Sequence, residues 1–223
     1  MMLSIILISC VVNKKSNVNF GQSKLNIELR EKLDAILLKD QGIREILDGN
    51  LSAERKVKLL ADMDLNETDI EGSKKYSLVR QIDSTNLLEI DSIIKIYGYP
   101  SKSLVGEPAN NAVFYVIQHS EKIEEYLHLI RKATENGDIA KTSLAMMEDR
   151  NLMYKGVEQI YGTQIKGKAN KKGQWIYFLW PIKNADSINI WRKEAGFKQS
   201  IEEYVKDMDV EFKIYKMNEL TDI

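Results

Sequence analysis

The chain has 223 residues, with 32 Lys and Arg against 33 Asp and Glu, so its net charge is -1. This balance gives no reason to expect nucleic acid or a bare anionic membrane surface as the main partner. Hydrophobic residues make up 43% and charged residues 29% of the chain. That composition is typical of a globular protein and excludes a disordered one.

The single cysteine, Cys10, excludes an internal disulfide and a cysteine metal cluster. It lies in an apolar run, 1–12, that would rise only about 18 Å as a helix, too little to cross a hydrocarbon core of about 30 Å. The run is typical of a secretory signal peptide, and Leu7-Ile8-Ser9-Cys10 resembles the lipobox of bacterial lipoproteins. We therefore expect a signal peptide at 1–9 and a lipidated N-terminus with a flexible tether at 10–23. The expected location is the cell envelope, lipid-anchored on the periplasmic or outer surface side of a bacterial membrane.

One feature of this N-terminal segment departs from a signal peptide, because no basic residue precedes the apolar run. Two alternatives stay open. The true start of the protein lies upstream, or the run is a buried N-terminal strand of a cytoplasmic protein. The polar stretch at 16–23 favours a tether over a further piece of sheet.

Apolar residues recur at helical spacing through most of 24–220, which predicts a single domain that is mainly α. Short connections between amphipathic segments favour antiparallel neighbouring helices. The predicted helices are 24–48, 51–63, 76–97 as one or two helices, 108–119, 122–135, 140–154, 187–195 and 200–208.

A small β-hairpin is predicted at about 159–181, packed on the helices. Gln159–Ile165 and Trp175–Trp180 are rich in strand formers, and the glycine- and lysine-rich segment Lys166–Gly173 between them is typical of a hairpin loop. Lysines keep a hairpin tip solvated and discourage edge pairing, so we do not expect nucleic acid as a partner. The predicted fold class is therefore a compact, mainly α domain with one small hairpin.

His119 and Asp149 are the first candidate functional residues, because each is expected on the apolar side of its helix. A carboxylate that points into a core needs a partner, and Arg150 or a basic residue of another helix could supply it. His119 is also expected at a helix C-terminus, where the helix dipole favours the protonated imidazole.

Two further groups are candidate ligand-binding residues. Gln159, Tyr161, Thr163 and Gln164 form a run of hydrogen-bonding groups where helix gives way to strand, with Gly162 free to adopt unusual backbone angles. Asp40, Gln41 and Arg44 lie within about one turn of the first helix. Neither group has the spacing of a metal site or of a nucleotide-binding loop, so no metal and no cofactor is expected.

Several short motifs appear in an order that resembles a bacterial family of domains of unknown function. They are Asp40-Gln41-x-x-Arg44, Tyr99-Pro100, Ser103-Leu104-Val105-Gly106-Glu107, Gln118-His119, Asp149-Arg150, Gln159-x-Tyr161-Gly162-Thr163-Gln164, Pro181-Ile182, Arg192, Gly196-Phe197 and Tyr204. The resemblance covers roughly 29–204. It departs at Asn184, where an acid is expected, and at Trp191, where a basic residue is usual. It implies a domain and a set of candidate residues, and no reaction.

Three interpretations of these residues remain. His119, Asp149, Arg150 and Gln164 could form a buried polar network that specifies the packing of helices and hairpin. They could instead line a site that binds an unknown small molecule or protein, in an envelope protein without catalytic activity. The third interpretation is a hydrolase or transferase with His119 and Asp149 as an acid–base pair and an arginine holding an anionic group. The sequence offers no obvious nucleophile for that chemistry.

Overall fold

The computed structural model describes residues 25–48 and 50–221. In that part of the chain, the protein is mainly helical with one two-stranded antiparallel hairpin, as the sequence predicts. It has nine α-helices there, including a short one at Lys102–Val105 that is not predicted. The elements are α1 Ile27–Leu47, α2 Ala53–Asp62, α3 Lys74–Tyr97, α4 Lys102–Val105, α5 Ala112–Gln118, α6 Ile123–Glu135, α7 Lys141–Tyr154, β1 Ile165–Ala169, β2 Trp175–Leu179, α8 Ile188–Glu194 and α9 Ile201–Asp207. The predicted signal peptide at 1–9, Cys10 and the tether at 10–23 lie outside the described residues. None of the described helices combines the length and the apolar character that a membrane span requires.

The main core lies where α1, α3, α5, α6 and α7 meet. Leu33, Ile90 and Ile117 are fully buried there, together with Ile130 and Met147. Full burial of one such side chain stabilises the fold by about 1.5–3 kcal/mol. Smaller apolar clusters lie between α1, α2 and α3 and beneath the hairpin. The helical repeat of apolar residues therefore encodes a layer of helices with the hairpin and α8–α9 at one end.

Polar side chains define several helix starts. The Asn26 side chain accepts a hydrogen bond from the Leu29 backbone N–H at the start of α1. At α9 the Ser200 hydroxyl and the Glu203 carboxylate form a reciprocal capping box. These bonds satisfy backbone N–H groups that have no partner inside the helix.

The region before α5 differs from the predicted helix 108–119. Ala109–Asn111 forms a 3-10 turn, and α5 begins only at Ala112. The Asn110 carbonyl accepts the Tyr99 hydroxyl at 2.6 Å, and the Asn110 amide donates to the Asp138 carbonyl at 2.7 Å. These side-chain bonds favour a turn at this point. α5 is consequently a short helix.

The first strand of the hairpin also lies elsewhere than predicted, so the prediction of a strand at Gln159–Ile165 is wrong. The observed β1 is Ile165–Ala169, in the segment predicted as a loop, and it pairs with β2 in the register Ile165↔Leu179 to Ala169↔Trp175. Most of 159–164 forms a turn instead, with Gly162 at φ +70°. A left-handed residue cannot continue a β-strand, and the buried carboxylate of Asp149 holds the backbone of this turn.

Candidate functional site

α1 contributes Asp40, Gln41 and Arg44 to a polar cluster at its buried side. Asp40 is fully buried, and it accepts hydrogen bonds from Gln41 Nε2 at 2.6 Å and from Arg44 Nη1 at 3.2 Å. Arg44 also donates through Nη2 to Asp83 of α3 at 2.7 Å. Burial raises the pKa of Asp40 to about 6, and the Arg44 guanidinium opposes that rise.

His119 follows α5 directly, and its imidazole is partly exposed. Burial lowers its pKa to about 3, and the positive charges of Arg44 and Arg150 act in the same direction. The expectation that the helix dipole favours the protonated ring is therefore wrong, because burial and two guanidinium groups outweigh the end of a short helix. The imidazole is neutral at pH 7 and makes no hydrogen bond to another described residue.

Arg150 extends from α7 toward the end of α5. Its Nη1 donates to the Gln118 carbonyl at 2.9 Å, and its Nε donates to Gln164 Oε1 at 3.1 Å. Both acceptors are neutral, and within residues 25–48 and 50–221 the guanidinium forms no ion pair with a carboxylate. Burial lowers the pKa of Arg150, and the nearby charge of Arg44 adds to this effect.

Asp149, the neighbour of Arg150 on α7, is fully buried and holds the turn at 160–163. Its Oδ1 accepts the backbone N–H groups of Ile160 at 2.7 Å and Tyr161 at 3.0 Å. Its Oδ2 accepts the Thr163 N–H at 3.0 Å and the Thr163 hydroxyl at 2.9 Å. Burial raises the pKa of Asp149, and these hydrogen bonds oppose the rise. A carboxylate has about four lone-pair positions, so the turn occupies all of them.

Gln159 and Gln164 connect this turn to the hairpin. The fully buried Gln159 amide donates to the carbonyls of Gln164 at 3.1 Å and Trp180 at 2.7 Å, and its Oε1 accepts the Gln164 N–H. Gln164 Nε2 in turn donates to the Thr163 hydroxyl at 2.9 Å. The predicted network of Asp149, Arg150 and Gln164 therefore exists and joins α5, α7 and the hairpin, whereas His119 lies beside it without a hydrogen bond to it.

Arg192 of α8 supports the turn from the other side, a role that reasoning from the residues alone does not assign. It is 2% exposed, donates through Nη1 to the Tyr161 carbonyl at 2.9 Å, and packs on the rings of Phe197 and Tyr204. The Tyr204 hydroxyl donates to the Thr163 carbonyl at 2.9 Å. The sequence does carry a signal for this role, because Arg192 lies four residues after the buried Ile188, on the apolar face of α8.

The side chain of Tyr161 lies apart from this network. It lines a cavity of about 570 Å³ between α6, α7 and α8, together with Glu148, Leu144 and Trp191. Of the predicted ligand-binding residues, Asp40, Arg44, Arg150 and Gln164 thus belong to the region around His119, while Thr163 and Gln159 hold the turn and hairpin in place. No group of His, Cys, Asp and Glu side chains in the described part of the chain could hold a metal ion.

The acid–base pair of His119 and Asp149 stays a prediction. The two side chains share no hydrogen bond, and the lone pairs of Asp149 are already taken by the turn. Proton transfer requires hydrogen-bond reach or one bridging water, so this arrangement argues against Asp149 as the partner of the imidazole.

A family model described as a family of unknown function, DUF6624, matches residues 53–216. The matched region includes Gln118-His119, Asp149-Arg150 and 159–164, while Asp40 and Arg44 precede it. No curated protein and no solved structure matches the chain. Because the family model covers well over half of the chain, the chain belongs to DUF6624, a family of unknown function.

Proposed function

We propose that the chain is a ligand-binding module of the bacterial cell envelope that takes an anionic group of a small molecule or protein. The proposed site consists of Arg150, His119 and Arg44. The observation that carries this proposal is the environment of Arg150, a largely buried guanidinium bonded only to neutral acceptors, beside an imidazole without a hydrogen-bond partner among the described residues.

A buried charge is unfavourable unless an opposite charge offsets the loss of hydration. Arg44 has such a partner in Asp83, with Asp40 also within 3.2 Å. Arg150 has none in the described part of the chain. A carboxylate or phosphate of a ligand would supply the missing charge, and the fork of N–H donors in a guanidinium matches the geometry of both groups.

The neutral imidazole of His119 is also suited to binding an anionic group. A neutral imidazole has one N–H donor and one acceptor nitrogen, so it can donate to an anionic oxygen without adding a third positive charge next to two arginines. Both His119 and Arg150 are partly exposed, which leaves them open to a ligand. Asp149 and the turn at 160–163 would then position Gln164 and, through it, the Arg150 side chain.

The envelope location in this proposal depends on the lipobox-like sequence that ends at Cys10. A lipid anchor in a bacterial membrane would hold the domain at the membrane surface. The alternative of a hydrolase or transferase that uses His119 and Asp149 ranks behind binding, because it requires a carboxylate that is free to orient the imidazole.

The test measures the thermal unfolding midpoint of the full chain at increasing concentrations of inorganic phosphate and, separately, of succinate. Sodium chloride keeps the ionic strength the same in every sample. At 100 times the dissociation constant, a ligand adds about 2.7 kcal/mol of stability, which for this chain length raises the midpoint by roughly 5–10 °C. Arg150→Gln keeps hydrogen-bonding groups at this position, and we expect it to abolish the rise. Arg131→Gln is the matched control, because Arg131 lies on the neighbouring helix α6 and is paired with Glu148.

The proposal requires that at least one of the two anions stabilises the wild type and Arg131→Gln equally, and Arg150→Gln much less. If neither anion raises the midpoint, or if all three proteins respond alike, the anion site does not exist.

A further inference from the structure

The hairpin carries a local charge very different from that of the whole chain. Between Gln159 and Ala185 the sequence contains five lysines and no Asp, Glu or Arg, although the chain as a whole has a net charge of -1. Four of these lysines lie on β1 or in the turn that follows it: Lys166, Lys168, Lys171 and Lys172. The register places Lys166 and Lys168 on the same face as the buried Phe178, and Lys168 Nζ donates to the Leu220 carbonyl at 2.8 Å. The turn, with Lys171 and Lys172, therefore carries the positive charge next to the other face.

Two large aromatic side chains are exposed on the same element. Trp175 is 65% and Tyr177 62% exposed, and their ring centroids lie 6.5 Å apart at an interplanar angle of 79°. Both rings pack over Gly167, where an added Cβ would lie 2.9 Å from Trp175 Nε1 and from Tyr177 Cε1. The absence of a side chain at Gly167 thus allows the two rings to lie together on the solvent side of the hairpin.

The opposite face of the hairpin is fixed to the domain. Phe178 is buried and contacts the Tyr215 ring edge to face, and Trp180 Nε1 donates to the Val157 carbonyl at 2.8 Å. Burial on one face does not require exposed aromatics on the other. Packing over Gly167 explains why the two rings lie together but leaves most of each ring in solvent, which makes this face a candidate contact surface.

We propose that this face of the hairpin, with Trp175 and Tyr177 and the adjoining turn with Lys171 and Lys172, docks onto an anionic lipid bilayer. Tryptophan and tyrosine rings are enriched at the boundary between lipid and water, and lysines near an anionic surface are attracted to it. Sites for single-stranded nucleic acid combine stacking rings with a basic groove, whereas Lys166 and Lys168 lie on the opposite face from these rings. The proposal depends on the membrane location in the proposed function, and it is independent of the anion site at Arg150.

The experiment uses the full chain reconstituted into vesicles of brominated phosphatidylcholine, with and without phosphatidylglycerol. Bromine quenches tryptophan emission only at short range, so quenching does not report attachment of the N-terminal segment. The chain has three tryptophans, and Trp175→Phe identifies the part of the quenching that comes from the exposed face of the hairpin. We expect phosphatidylglycerol to increase quenching in the wild type, high salt to reverse the increase, and Trp175→Phe to lose it.

The double variant Lys171→Glu, Lys172→Glu should lose the same increase. The matched control is Lys132→Glu, Lys198→Glu, which makes an equal change in net charge at exposed lysines on other elements and should behave as the wild type. Equal quenching with and without phosphatidylglycerol, or an equal loss in the control, would overturn the proposal. A further outcome would also overturn it: the wild type binds duplex DNA, and the hairpin double variant loses that binding while its quenching is unchanged. Arg150→Gln should leave the quenching intact, which separates a failure of this inference from a failure of the anion site.

Discussion

Asp40 lies fully buried beside Arg44 and accepts a hydrogen bond from Gln41, and burial raises its pKa to about 6. The unfolded chain has the ordinary value of 3.8. The folded protein therefore binds the proton more tightly, and its stability falls as the pH rises from about 4 to about 6. The size of the shift corresponds to about 3 kcal/mol.

The difference between the pKa values of Asp40 in the folded and unfolded chain predicts how stability changes with pH. The free energy of unfolding of the wild type should fall by about 3 kcal/mol relative to that of Asp40→Asn between about pH 4 and pH 6, because the amide of the variant cannot titrate. Chemical denaturation of both proteins at a series of pH values measures the difference. Curves that remain parallel over this interval would show that Asp40 has an ordinary pKa.

The sequence predicts some properties of the individual candidate residues and not others. The helical period alone places Asp149 and His119 on apolar faces, and the structure confirms burial for Asp149, whereas the burial of Asp40 is not predicted. The helical period cannot identify partners that are distant in sequence, such as the Ile160 N–H for Asp149 or Asp83 for Arg44. The pKa of His119 is not predictable for the same reason, because the two arginines near it come from α1 and α7.

At the element scale, the turn at 160–163 depends on Gly162. This residue has φ +70°, and a Cβ added to it would lie 2.6 Å from Ile201 Cδ1. A left-handed conformation costs a non-glycine residue about 1–2 kcal/mol, and overpacking of a buried site costs about 1–3 kcal/mol more. The turn is therefore held by two separate requirements, one of the backbone and one of packing.

Gly156 provides a matched control for this turn, because it has φ +68° and open space where a Cβ would be placed. We expect Gly162→Ala to lower the free energy of unfolding by about 2–5 kcal/mol and Gly156→Ala by only about 1–2 kcal/mol. Urea denaturation of both variants measures the difference. Equal losses would mean that the contact with Ile201 relaxes freely and does not hold the turn.

The elements differ in how well the sequence predicts them. The long amphipathic helices α1, α6 and α7 appear close to their predicted bounds, because their apolar faces carry the 3.6-residue period. β1 does not, because Lys166 and Lys168 look like loop residues and the strand formers of 159–164 are drawn into a turn around Asp149. Hydrogen bonds from the distant Asp149 side chain favour a turn over a strand at 159–164, and the local sequence pattern cannot predict them.

At the scale of the whole molecule, the proposed anchor at Cys10 would hold a helical domain at a membrane. Metabolic labelling with a radioactive fatty acid should mark the wild type and leave Cys10→Ser unlabelled, because that residue would be the acylated position. The matched control is Ser9→Ala, which alters the neighbouring residue and keeps the thiol. Equal labelling of the wild type and Cys10→Ser would contradict the anchor.

The site itself joins distant parts of the molecule, because Arg44 comes from α1, His119 from the end of α5 and Arg150 from α7. A ligand held there would connect the main helical core with the hairpin through Gln164. The central claim is that an anion binds next to the neutral imidazole of His119. Phosphate is a suitable probe, because most of it carries a negative charge near pH 3, where this ring is expected to titrate.

The most direct measurement is an NMR titration of the His119 ring, with His128→Gln used to assign its signals, in the absence and presence of phosphate. Without phosphate, the imidazole should stay neutral until the pH approaches about 3. With phosphate bound, we expect the pKa to rise by about one unit or more, because an adjacent anion favours the imidazolium, and Arg150→Gln to remove the rise. A pKa of His119 that is the same with and without phosphate would contradict the proposed anion site.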